Sequence, residues 1–183
     1  MDRKPNFADL KYQTKVFFGN YNYILFNTFV FHWESDFIAS AKQTSYVIEI
    51  ELKMSRSDFN ADFNKTIKGW GKIRNRNKHD YLRDSAELFK PNKFGFACPE
   101  GLIKPEELPK EYGLYWMPEH GGNLICVKPA KFLHKTNLFK DNHFVIQMMN
   151  KFYYRNIDLR VALGLREYDI KYNQRRLYEE TYY

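Results

Sequence analysis

Cysteine is nearly absent from this chain, with only Cys98 and Cys126 in 183 residues. Two thiols cannot build a disulfide scaffold or a cysteine zinc site. Both read as buried small apolar residues on neighbouring strands. Long apolar runs are missing too, since none reaches the roughly 18 to 20 residues of a membrane helix. The opening stretch, MDRKPNFADLK, holds no apolar core of a secretory signal. Internal repeats, low-complexity tracts and linker-like segments are also lacking. Acidic residues are outnumbered, 22 against 29 basic ones, for a formal net charge of +7. These absences leave a soluble, cytoplasmic, single-domain protein with no membrane role and a bias toward polyanionic partners.

Aromatic residues are abundant: 16 Phe, 14 Tyr and 3 Trp in a chain that is 44% hydrophobic, which excludes disorder for the whole. Residues 8–18 read as a short helix stopped by Gly19 and Asn20. Tyr23–Phe31, Phe37–Ala41 and Thr44–Lys53 read as strands, the last two joined by a tight turn at Lys42 and Gln43. In the third strand Tyr46, Ile48, Ile50 and Leu52 face one way, and Val47, Glu49, Glu51 and Lys53 the other. Ser55 or Ser57 caps a helix carrying a ridge of Phe59, Phe63 and Ile67, ended by Gly69 and Gly71. A helical turn around Tyr81–Phe89, a strand at Lys93–Cys98, a hairpin around Gly121 and Gly122 and a helix from Asn137 follow. The order predicts an α/β (α+β) fold, a mixed sheet with helices on its faces. Its core spans about 8–135, with a helical extension over about 137–183.

The segment richest in chemistry is Glu34-Ser-Asp36, then fourteen residues, then Glu51-Leu-Lys53. Asp36 and Glu51, on adjacent hairpin strands, can offer hard oxygen ligands to Mg²⁺ at one end of the sheet, with the Leu52 carbonyl nearby. Lys53, on the face of Glu51, can orient or deprotonate an attacking water and offset charge in a phosphoryl transition state. A lysine at a strand end is expected to act on the chemistry more than on folding. A lone Glu-x-Lys on a strand is usually an exposed ion pair of small worth.

Asp36 followed by VIEIELKMSRSDFNADF, KHDYL, PNKFGFACPEGLI, ELPKEYGLYW and CVKPAKFLHK resembles the MmcB-type DNA-repair group of the PD-(D/E)XK nuclease superfamily, with similar phage and bacterial proteins. The resemblance covers residues 30–135. It implies a restriction-endonuclease-like αβββαβ core and Mg²⁺-dependent hydrolysis of DNA phosphodiesters, Mn²⁺ substituting. By position it makes Asp36 and Glu51 the metal ligands with the Leu52 carbonyl, and Lys53 the catalytic lysine. Many superfamily members add a glutamate from the first helix. Here residues 1–33 contain only Asp2 and Asp9 as acids, and Glu34 is the substitute on offer. One Mg²⁺ is therefore the expectation rather than two. A non-catalytic DNA-binding or repair accessory protein on the same fold is the competing reading.

Lys65, Lys68, Lys72, Arg74, Arg76, Lys78 and Arg83 put seven cations against Asp80 in nineteen residues, with Trp70, His79 and Tyr81 interleaved. This reads as a nucleic-acid surface that tracks the backbone, or as a solvated loop. DNA is the expected partner, RNA being the alternative. Oligomeric state is left open, a homodimer included.

Overall fold

A computed structural model of the chain describes residues 6–41, 44–67, 75–120 and 122–162. Asn6 opens helix α1 (Phe7–Phe17): its side chain accepts the Asp9 amide while the Asp9 carboxylate accepts the Asn6 amide. Three strands follow, β1 (Tyr21–Thr28), β2 (Ser35–Ala41) and β3 (Val47–Leu52). Two short helices come next, α2 (Arg56–Asp62), capped by Ser55, and α3 (Lys78–Arg83), capped by Asn77. Strands β4 (Lys93–Pro99), β5 (Gly113–Met117) and β6 (Ile125–Lys128) precede the long helix α4 (Asn142–Ala162).

The six strands form one sheet in chain order. Pairs β1–β2, β2–β3 and β5–β6 are antiparallel, while β3–β4 and β4–β5 are parallel. Parallel neighbours cannot be joined by a tight turn. The α2–α3 segment makes the first crossover, and the loop between Pro99 and Gly113 the second.

Each face of the sheet carries its own core. Phe37, Ile48, Ile50, Leu52 and Ala97 pack with Leu10 of α1 and Phe18 just beyond it. On the other face Ile38, Phe94, Phe96 and Leu114 meet Phe59 of α2, Tyr81 and Leu82 of α3, and Phe144 and Met148 of α4. The chain is thus a mixed α+β sheet flanked by helices, the class and element order expected from its sequence. Among the described residues no helix is long and apolar enough to cross a membrane.

Three local expectations change. Helix α2 stops at Asp62, so the Phe59–Phe63–Ile67 spacing is not one helical ridge. The Asn77 side chain donates to the Phe63 carbonyl at 2.6 Å, and Ile67 instead lies where its amide donates to the Arg76 carbonyl at 2.8 Å. The helical turn sought around Tyr81–Phe89 is α3, shifted toward its Asn77 cap. Cys98 is buried on β4, whereas Cys126 is exposed on β6, with β5 between them. The Lys42–Gln43 turn, Gly69, Gly71, Gly121 and the segment after Ala162 lie outside the described residues.

Candidate active site: a buried cluster of carboxylates and lysines

All six residues of β3 are buried, Glu49 and Glu51 included. Their face of the sheet is covered because α2 and α3 return across it. The antiparallel register sets Phe37 opposite Ile50 and Ile38 opposite Glu49. Asp36, one residue before Phe37, therefore arrives beside Glu51 on the same face. Its Oδ2 accepts the Leu52 amide at 2.9 Å. Lys53, hooked to β4 through its amide and the Ala97 carbonyl, donates from Nζ to Glu51 Oε2 and Asp62 Oδ1, both at 3.0 Å.

The covering helices complete the cluster. Lys78, at the start of α3, donates to Glu51 Oε1 at 2.6 Å and lies 3.2 Å from Glu49 Oε1. Lys65 lies 2.6 Å from Asp62 and 3.3 Å from Glu51. His79 joins Asp62 and the Tyr112 hydroxyl, 2.9 Å from each, and stacks on Phe63. Trp33 donates from Nε1 to Glu49 Oε1 at 2.8 Å, while Glu49 Oε2 has no hydrogen-bond partner among the described residues.

Charge balance follows from these contacts. Burial pushes the Glu51 carboxyl up, but the Lys78, Lys53 and Lys65 ammoniums outweigh it and hold the group at about 2. Asp62 is likewise held well below the carboxylate range, burial being overcome by Lys78, the His79 hydrogen bond and the other lysines. Burial and the charge of Glu51 raise Asp36 to about 6, against the Leu52 amide and Lys53. Glu49 is raised as well, chiefly by burial. Burial disfavours the charged forms of Lys53 and Lys78, yet the surrounding carboxylates lift both above the ordinary lysine value. Burial lowers His79 despite Asp62, so its ring stays neutral near pH 7. Lys53 is thus a fixed cation here, suited to stabilising negative charge rather than to removing a proton.

Opposed shifts make the pH profile of stability two-sided. Glu51, depressed from 4.5 to about 2, adds stability above 4.5 that is lost as pH falls toward 2. Asp36, raised from 3.8 to about 6, favours the fold at low pH, an advantage lost as pH rises through that window. In metal-free buffer, urea denaturation is expected to show Asp36→Asn gaining stability over the wild type as pH rises from about 4 to 6, so that the two slopes differ across that window. An unchanged slope in the variant would mean that Asp36 does not crowd Glu51.

The structure brings Asp36, Glu51 and Lys53 together on one face. Leu52 meets Asp36 through its amide, where the sequence pointed to its carbonyl. Glu34 is exposed beside the cluster rather than in it. The described part of the basic stretch is turned inward at several positions, although Arg83 stays exposed. Lys78 and His79 are buried, Lys65 leans over the acids, and Arg76 pairs with Asp84 and Glu87. Three carboxylates excluded from water demand cations, and this stretch supplies Lys65 and Lys78 to join Lys53. Lys68, Lys72 and Arg74 lie outside the described residues. Glu49, Asp62, Trp33 and Tyr112 were not singled out by sequence. Glu49 carries a sequence signal, since it shares the strand face of Glu51 and Lys53.

Among the described residues no group of three or more His, Cys, Asp or Glu side chains is arranged to hold a metal ion. Asp36 and Glu51 nevertheless suit one hard cation. They are oxygen donors crowded against each other, Asp36 is partly exposed, and water can complete the shell.

No family model matches the chain, and no curated protein matches it. Among solved structures, a protein of unknown function from Silicibacter pomeroyi is similar, with a TM-score of 0.51 at 16% identity over 76% of this chain and 77% of that one. At that identity the likeness is one of fold.

Proposed function

We propose that the chain is a metal-dependent nuclease of the PD-(D/E)XK type, with a restriction-endonuclease-like αβββαβ core, that hydrolyses DNA phosphodiester bonds. The observation carrying this reading is the meeting of Asp36, Glu51 and Lys53 on one sheet face, where burial and then the charge of Glu51 raise Asp36 to about 6. Asp36 and Glu51 would hold Mg²⁺ or Mn²⁺. Such a cation supplies Lewis acidity and neutralises charge at a phosphodiester. Lys53 sets a permanent positive charge beside the same carboxylates, where it offsets charge building on phosphate oxygens. Asp62, itself oriented by His79 and Tyr112, fixes the Lys53 ammonium. Lys78 holds Glu51 from the buried side. Lys65 is 43% exposed and is the ammonium most easily exchanged for a metal or turned to a phosphate. Action on DNA in the cytoplasm of a bacterial or phage-infected cell, in repair, recombination or phage DNA processing, belongs to this proposal.

A second reading has its own observation. Both oxygens of Glu51 and both of Asp62 already meet Lys53, Lys65, Lys78 or His79. A cluster so well neutralised also suits a non-catalytic DNA-binding or repair accessory protein that keeps the fold. A panel of single-stranded, duplex and branched DNA, plus RNA, incubated with Mg²⁺ or Mn²⁺ and with EDTA, separates the two. The nuclease reading expects cleavage that EDTA abolishes. Salt-sensitive DNA binding without cleavage of any substrate would give the assignment to the accessory protein.

A further inference from the structure

A cavity of about 290 Å³ lies beside the cluster, lined by Phe29, His32, Trp33, Glu34, Lys65 and Thr66. One wall is the connection between β1 and β2, which is firmly anchored. Val30, Phe31 and Trp33 are buried, Phe31 packs against Phe89 and Phe144, and His32 against Phe89 and Tyr81. Between buried Thr28 and these anchors Phe29 stays 47% exposed. An anchored segment that leaves a large ring in water, at the edge of a formed cavity, has a surface available for stacking.

Two lining residues also belong to the candidate active site. Trp33 donates to Glu49 at 2.8 Å, and Lys65 lies 3.3 Å from Glu51. Whatever fills the cavity therefore sits next to Glu51. The cavity is at the lower end of small-ligand pockets, roughly 300 to 1,000 Å³, which suits one ring system and not a base pair.

We infer that this cavity receives one unpaired base of a DNA strand whose backbone crosses the Asp36–Glu51–Lys53 site. The substrate class is then single-stranded DNA, or duplex DNA with a single-stranded end or flap. The inference rests on the nuclease reading for the position of the phosphate. Phe29 offers a ring on which any base can stack. The exposed Glu34 carboxylate can accept from the exocyclic amine of a base edge, as acidic side chains do with cytosine. Lys65 stands between the cavity and Glu51, where it can meet the phosphate of the same nucleotide. A base inside a blunt duplex has its faces stacked and its edge paired, so it cannot enter without being extruded.

The test uses the full chain in EDTA, with DNA carrying 2-aminopurine either in a single-stranded end or within a blunt duplex of the same sequence. Stacking of the probe quenches its fluorescence. The expected result is quenching of the single-stranded probe and at least about tenfold tighter binding than the blunt duplex, within the range of one base–aromatic stack. Phe29→Ala should lose most of that preference, and Phe29→Trp should keep it. Because Phe29 is half exposed, neither change endangers the fold. Equal binding of the two DNAs, or a preference unaltered in Phe29→Ala, overturns the inference. Cleavage with Mn²⁺ is read separately. Quenching that depends on Phe29 without cleavage upholds the base pocket while sinking the nuclease reading.

Discussion

Lys78→Met is expected to bring the chain to the edge of unfolding. Lys78 is fully buried and bridges Glu49 and Glu51, which are fully buried as well. Removing one partner of a buried ion pair typically costs about 3–5 kcal/mol, because the remaining charge is left uncompensated. A domain of this size holds only about 5–15 kcal/mol in total. Adding Glu49→Gln should recover part of the loss, since it removes one of the stranded carboxyls. Glu49→Gln alone should cost less than Lys78→Met, because burial already favours the neutral form of Glu49. Urea denaturation of the two single variants and the double variant checks this. A Lys78→Met chain as stable as the wild type would mean that the cluster is open to water.

Lys53→Met should lower cleavage by on the order of 10²- to 10³-fold, the usual effect of losing one positioned charge at a transition state. The sequence alone suggested that this variant would fold untroubled, as expected of a residue at a strand end. The structure corrects that: Lys53 is only 2% exposed and is paired with Glu51 and Asp62, so the variant also loses stability. Rates must be compared where circular dichroism shows the variant folded. Asp36→Asn is the cleaner partner, because it relieves crowding with Glu51 and should leave stability intact or improved while abolishing cleavage. Wild-type rates in both variants would reduce Asp36 and Lys53 to structural members of an ion-pair network.

What the sequence made legible was local. The alternation of β3 assigns Glu49, Glu51 and Lys53 to one face, and the short link back to Asp36 makes the approach of Asp36 to Glu51 readable from local spacing. The helix and strand order was equally plain, because caps such as Ser55 and the alternation of Phe94 and Phe96 lie within a few residues of the elements they define. Alternation states which side chains share a face, but not what covers that face. The cover is α2 and α3, and beside Lys53 the cations that neutralise Glu49 and Glu51 are Lys65 and Lys78, 14 to 29 residues along the chain. A run of lysines reads as solvated when its acidic partners are that distant. Cys126 was misread for a related reason, since its neighbours depend on the strand order of the whole sheet.

The proposed nuclease requires Asp36 and Glu51 to share one divalent cation. Calorimetric titration of Mn²⁺ into the wild type and Asp36→Asn at pH 7.5, with Lys53→Met beside them, tests it most directly. One Mn²⁺ per wild-type chain is expected, with binding lost in Asp36→Asn and retained in Lys53→Met. Absence of binding to the wild type, or equal binding to Asp36→Asn, would contradict the shared site.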